Sequence, residues 1–317
     1  MRHSYRLIKG GLAIATLASA VSLLTACTTW LAQRSPTELG THTQQAIALP
    51  VQDRQPEYHR YETARSVIHL VRVPVGGRWQ VVPRVTERLS LLPQFAGNGG
   101  GDGAAIALIN AGFFDPANQL TTSAITVNGA LVADPRQNSR LMGNPDLTAY
   151  LDRILNRSEL RRSLCGGEVR YSIARHQDPV PPGCQQQDAI GAGPRLLPSL
   201  DLETEGFREV VNGRVVRDAI GSDRPNARSA VGITAEGDLL LVMAAQRPEA
   251  PQSSGITLPE MAQFLASQGA VEALNLDGGS SASLFFQGNT FYGRVNAEGQ
   301  WVQRPVKSAL AVIERSP

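Results

Sequence analysis

The sequence predicts an α+β fold, a single domain in which a mixed, largely antiparallel sheet is packed by a few helices. Three observations predict it. Apolar and alternating runs of strand length outnumber helical patterns and do not alternate regularly with them, which argues against a wound parallel sheet. Turn signals such as Asn128-Gly129 and Glu236-Gly-Asp238 lie between apolar runs, as in antiparallel hairpins. No linker-like stretch interrupts residues 61–317, so that region is expected as one unit.

Residues 66–73 are rich in β-branched and apolar side chains and read as a strand. The glycine-rich stretch 97–103 reads as a loop; it lacks the Gly-Lys-Ser/Thr ending of a phosphate-binding loop. Residues 104–109 form an apolar run short enough for a buried strand, and 124–132 bracket the Asn128-Gly129 turn. From 146 to about 160, Leu147, Tyr150, Leu151, Ile154 and Leu155 recur at helical spacing. Residues 230–234 and 239–243 flank the next turn. Thr257-Leu-Pro-Glu260 is a capping box with proline in the first turn, opening a helix that should stop at Gly269. A strand at 271–277, a hairpin about Gly288-Asn289 and a closing strand at 308–313 complete the pattern.

Arg2, Arg6 and Lys9 precede an apolar run over 11–24, and Leu24-Thr-Ala-Cys27 follows at once. This is the layout of a secretory signal. The cysteine directly behind Leu-Thr-Ala makes it resemble a bacterial lipoprotein signal, in which cleavage leaves the sulfur to carry lipid. Residues 1–26 are thus expected as a signal peptide, Cys27 as the lipidated residue, 27–60 as a polar tether and 61–317 as the folded domain. The expected location is a bacterial cell envelope, attached to a membrane and facing the periplasm or exterior. Removal of the three signal cations leaves 27 basic against 28 acidic side chains, a formal charge of −1. Such a balance offers no basic footprint for nucleic acid. Cys165 and Cys184 then form an even pair, suited to one disulfide in an oxidising compartment. They lack the short ligand spacing of zinc motifs, and no metal site is expected from them.

Histidine is scarce, and neither a His-Glu-x-x-His motif nor a Gly-x-Ser-x-Gly elbow is present. Carboxylates and arginines are left as the reactive groups. In Asn275-Leu-Asp277-Gly-Gly-Ser-Ser281, a period of two places Asn275 and Asp277 on one face at a strand end. Gly278 and Gly279 free the backbone for close approach of a ligand, while Ser280 and Ser281 add hydroxyls and amides. Asn110, Gly112 and Phe113 form a comparable corner behind a buried strand. Arg228 precedes a strand and carries a guanidinium suited to bidentate phosphate binding, with Ser229 beside it. Glu260 is a second carboxylate, although its capping box already explains it.

Five blocks occur in order: Asn110-Ala-Gly-Phe-Phe114, Gly191-Ala-Gly-Pro-Arg-Leu-Leu197, Ala227-Arg-Ser-Ala-Val-Gly232, Gly255-Ile-Thr-Leu-Pro-Glu-Met-Ala262 and Ala273-Leu-Asn-Leu-Asp-Gly-Gly-Ser-Ser281. In this order they resemble the phosphodiester glycosidase family, over about residues 65–315. The resemblance implies an enzyme that cleaves the C1–O bond of a sugar-1-phosphate diester in a glycan or similar substrate, without a cofactor. On this reading Asp277 is the key carboxylate, as nucleophile or as base and electrostatic stabiliser. Arg228, with Ser280 and Ser281, holds the phosphate; Asn110 and Asn275 orient sugar hydroxyls; Glu260 is the second carboxylate. Gly112, Phe113, Arg195, Ser229, Gly278 and Gly279 line the substrate. A structural calcium held by loop oxygens is compatible with the sequence. Ser280 stands where the family has a third glycine, Ser229 replaces a threonine and Asn110-Ala-Gly replaces Asn-Gly-Gly, so the sugar is not carried over. Two rivals make different predictions. A polysaccharide-binding lipoprotein would release no free sugar, and a metal-dependent phosphodiesterase would break P–O and fail in chelator.

Overall fold

The computed structural model describes residues 54–97 and 103–315. The signal segment, Cys27 and most of the expected tether lie outside these residues. In chain order the strands are β1 (Glu57–Glu62), β2 (Val67–Val73), β3 (Trp79–Ser90), β4 (Ala107–Asn110), β5 (Ile125–Val127), β6 (Ala130–Ala133), β7 (Ser158–Cys165), β8 (Glu168–Arg175) and β9 (Cys184–Gly191). They continue as β10 (Arg195–Leu197), β11 (Arg208–Val211), β12 (Arg214–Asp218), β13 (Arg228–Thr234), β14 (Leu239–Ala245), β15 (Ala270–Asn275), β16 (Ser283–Phe286), β17 (Asn289–Tyr292) and β18 (Val306–Glu314). The α-helices are α1 (Ser139–Met142), α2 (Leu151–Leu155) and α3 (Leu258–Ser267).

Strands dominate, and in place of one mixed sheet there are three antiparallel sheets and a separate hairpin. The first sheet has the order β1-β2-β14-β13-β15-β10, the second β17-β16-β4-β18-β3 and the third β6-β5-β9-β7-β8, while β11 and β12 pair alone. Short connections explain the antiparallel hairpins β1–β2, β5–β6, β7–β8, β11–β12, β13–β14 and β16–β17, because a parallel neighbour needs a long crossover; the other antiparallel pairs join strands that are not consecutive in the chain. β1 starts inside the segment expected as tether and pairs with β2 along its whole length.

The first sheet is buried on both faces, and its period of two feeds two cores. Along β14, Leu240, Val242 and Ala244 pack beneath α3 with Met261 and Leu265. Leu239, Leu241, Met243 and Ala245 point the other way, into a core shared with Ile109 and Leu310 of the second sheet and Ile125 and Ile190 of the third. The capping box of α3 forms as expected, with Thr257 and Glu260 each satisfying the other's amide. Asn128 (φ 50°) and Gly129 (φ 78°) turn the β5–β6 hairpin through left-handed conformations.

Two expectations need correction. The helix expected over 146–160 shrinks to a 3₁₀ turn and the five residues of α2, because Ser158 onward joins the third sheet as β7. There Cys165 lies opposite Cys184 on β9, and the two form a disulfide. Helical spacing and the alternation of a half-buried strand overlap in this stretch, and pairing with two neighbours decides it. The turn of β16–β17 falls at Gln287-Gly288, one residue earlier than expected. Among the described residues, no helix is long and apolar enough to cross a membrane.

Candidate active site

Four chain segments converge where β4 and β15 end and β13 and β16 begin. Asn110, the last residue of β4, is fully buried, and its side chain joins three of them. Its Nδ2 donates to the Asp277 carbonyl (2.5 Å), and its Oδ1 accepts from the Ser229 hydroxyl (2.7 Å) and the Ser283 amide (3.0 Å). The Asp277 amide donates to the Ala111 carbonyl at 2.8 Å. Leu276 and Gly279 extend the contact with β13 by donating to the Ser229 and Ala227 carbonyls, each at 2.8 Å. The Asp277 backbone is thereby held from both sides, independently of its carboxylate.

The Asp277 carboxylate is half-buried just past β15. Burial pushes its pKa up to about 6, against the opposing effects of a hydrogen bond from Ser281, the charge of Arg304 and the Gly278 amide. Arg304 donates to the Ser280 hydroxyl (2.7 Å) and lies over the Phe114 ring, 5.4 Å from its centroid. Ser280 also lines a cleft of about 430 Å³ with Arg294. Arg294 in turn donates to the Asn226 side-chain oxygen at 2.8 Å. Among the described residues, neither Arg294 nor Arg304 forms an ion pair. A partly desolvated carboxylate, the Arg304 guanidinium and the Ser280 hydroxyl therefore stand close together, with Phe114 beneath Arg304, and Arg294 lies in the cleft that Ser280 lines.

Several expected ligand contacts are taken up by the protein itself. Arg228 is buried, and its guanidinium makes four hydrogen bonds to the carbonyls of Ile256, Ile220, Gly221 and Arg224. Burial lowers its pKa to about 10, opposed by the charge of Asp218. It braces the 220–224 loop instead of presenting a fork to phosphate. Asn110 and Ser229, expected as sugar contacts, are fully buried and bonded to each other within the protein. Asn275 holds the Gly193 and Leu276 carbonyls, each at 2.8 Å, and is likewise a brace. Gly112 and Gly278 are needed for chain packing. An added Cβ would stand 2.8 Å from the Gly191 carbonyl oxygen or 3.0 Å from that of Ala227.

Phe113 packs against Phe207, with ring centroids 5.8 Å apart. Arg195 donates its amide to Glu205 (2.9 Å) and its guanidinium to the Ile173 carbonyl (3.2 Å). Gly279 takes a left-handed φ of 59° that lets the chain turn beneath Ser280, and Ser281 supports the Asp277 carboxylate. Glu260 closes its capping box and pairs with Arg65 at the surface. Burial acts to raise its pKa, but the Thr257 amide and hydroxyl and the Arg65 charge outweigh that and hold it below the ordinary value. Glu260→Gln is therefore expected to cost about 1 kcal/mol of stability or less and to change turnover less than twofold, as urea melts and initial rates would measure.

A family model described as phosphodiester glycosidase matches residues 103–313. Over 86 residues the chain is 40% identical to the N-acetylglucosamine-1-phosphodiester alpha-N-acetylglucosaminidase of Mus musculus and 41% identical to that of Homo sapiens. The matched stretch covers 27% of this chain and only 14% of each relative. Among solved structures, the catalytic domain of the zebrafish N-acetylglucosamine-1-phosphodiester alpha-N-acetylglucosaminidase, auto-inhibited by its pro-peptide, superposes with a TM-score of 0.57. It is 18% identical, and the match covers 85% of both chains. A hypothetical protein from Synechocystis matches with a TM-score of 0.53 and 18% identity, over 82% of this chain and 62% of that one. At these identities the structural likeness speaks for the fold alone.

Proposed function

Since the chain belongs to the phosphodiester glycosidase family, we propose that it hydrolyses the C1–O bond of a sugar-1-phosphate diester, with Asp277 as the key carboxylate. The observation that carries this reading is the Asp277 carboxylate, half-buried with a pKa raised to about 6 and within the field of Arg304, which forms no ion pair among the described residues. Loss of a phosphate monoester from C1 builds positive charge on the sugar and negative charge on the leaving oxygen. Ionised Asp277 opposes the first, as nucleophile or as electrostatic stabiliser. Arg304, bonded to the Ser280 hydroxyl, holds the second together with Arg294 of the adjoining cleft, the part expected of Arg228 from the sequence. A departing phosphate needs little protonation, so one carboxylate suffices for bond cleavage. The full-length protein in detergent, offered a panel of glycosyl-1-phosphodiesters in ¹⁸O-labelled water, tests the reading. Label in the released sugar supports it; label in the phosphate, or no product, ends it.

Arg304→Ala is expected to lower kcat/KM by about 10- to 100-fold, the scale of losing one charged contact to phosphate. The positive charge of Arg304 lowers the Asp277 pKa. Its removal should therefore move the acidic limb of the pH–rate profile above pH 6.

The protein is exported and held to the bacterial cell envelope by lipid on Cys27. The cationic start, apolar run and Leu24-Thr-Ala-Cys27 support this, and the Cys165–Cys184 disulfide suits an oxidising compartment. The substrate is then an envelope or extracellular glycan. Cys27→Ser should move the protein from the membrane to the soluble fraction; a variant that stays with the membrane would end the lipid-anchor reading.

A further inference from the structure

A second cleft, of about 290 Å³, opens where β2 and β17 approach the 294–302 turn, and no role has been assigned to it. Its walls include His69, Phe291, Tyr292 and Trp301. The wall is built by stacking: the Phe291 ring lies 4.3 Å from His69, and the His69 Nδ1 is 2.7 Å from the Tyr58 hydroxyl. Burial lowers the His69 pKa to about 4, with Arg60 adding to the effect, so the imidazole is neutral at physiological pH. Trp301 is 43% exposed at the mouth. A large aromatic left open beside other aromatic walls is the lining of a ligand cleft more than of a folding core. The volume is at the small end for such clefts, roughly 300–1,000 Å³, and suits a single ring.

The position of this cleft gives it a use. Val295 and Trp301 bridge across the turn, and Gln246 pins it by accepting the Val295 amide at 3.2 Å. Trp301 lines the aromatic cleft, whereas its neighbour Val302 lines the cleft that holds Arg294 and Ser280. Successive side chains of one short segment thus serve two adjacent clefts.

We propose that the aromatic cleft is a sugar subsite, with Trp301 and Tyr292 stacking on a neutral ring of the group esterified to the far side of the phosphate. The assignment of that ring to the leaving group rests on the catalytic reading above.

The test uses the full-length protein and three probes, the trisaccharides of glucose, mannose and N-acetylglucosamine, titrated by calorimetry. At least one is expected to bind saturably. Trp301→Ala should weaken that binding at least tenfold and Trp301→Phe should largely restore it, which general damage to the turn would not produce. In hydrolysis, Trp301→Ala should reduce by at least tenfold the preference for a trisaccharide diester over the methyl diester of the same sugar phosphate. Failure of all three trisaccharides to bind, or unchanged binding by Trp301→Ala, overturns the subsite. Trp301-dependent binding without hydrolysis of any diester keeps the subsite and ends the catalytic reading, so the two failures are distinct.

Discussion

Asp277→Asn is expected to reduce turnover of a glycosyl-1-phosphodiester by about a thousandfold or more and, at pH 8, to make the protein more stable. The first effect follows from loss of the carboxylate within the field of Arg304. The second follows from the pKa, raised from 3.8 to about 6. A carboxyl whose pKa rises on folding is more easily ionised in the unfolded chain. Its ionisation therefore costs stability as the pH climbs through that interval, and the cost is complete above about pH 6. Asparagine carries no such charge and still offers an oxygen to Ser281. The gain should be roughly 1–3 kcal/mol after allowance for solvent screening, or about 3–8 °C in Tm, and should vanish near pH 4. The fold should persist, because the structural bonds to Ala111 and Asn110 come from the Asp277 backbone. Calorimetric melts at pH 4 and pH 8, beside initial rates, check both parts. A wild-type kcat/KM that falls below about pH 6 with a single ionisation would agree, and a variant with near-normal turnover would remove Asp277 from the chemistry. Gain of stability with loss of activity is the signature of a group strained for function.

Arg228→Met is expected to act in the opposite sense, costing about 3–5 kcal/mol of stability. Four carbonyls lose a charged donor at once, two of them on neighbouring residues of the 220–224 loop. Each hydrogen bond from a charged group contributes about 1.5–3 kcal/mol, offset in part by the desolvation of the buried guanidinium. The urea midpoint should fall sharply, while the folded fraction retains a KM within a few-fold of wild type. An unchanged midpoint with a KM raised tenfold or more would return Arg228 to the phosphate and overturn its role as a brace.

Local chemistry was legible wherever a few neighbouring residues decide the outcome. The α3 capping box, the Asn128-Gly129 turn and the paired strands β13 and β14 follow from sequence spacing alone. β7 to β12 were not legible in this way. β7 and β8 carry few long apolar side chains; β7 buries Glu159 and Arg161 and β8 is half-buried along most of its length, so they gain stability from neighbours that lie far apart in sequence. The exposed valines of β11 and β12 flank an Asn212-Gly213 turn, a local signal of the same kind as Asn128-Gly129.

The corner at Asp277 was also visible, since period two and the following glycines mark a polar side chain leaving a buried strand. Which arginine faces it was not visible. Arg228, Arg294 and Arg304 all lack an acidic residue within three positions, so their sequence surroundings do not separate them. A long cation goes wherever carbonyls or anions are brought within its reach, and only the assembled chain sets that. Here the 220–224 loop and Ile256 surround Arg228 with acceptors, while the closing segment brings Arg304 to the Ser280 hydroxyl and Arg294 into the cleft that Ser280 lines. The sequence alone determined the carboxylate and the turn that exposes it; the tertiary structure decided its cations, because a guanidinium's partners are supplied by remote backbone and not by its neighbours in the chain.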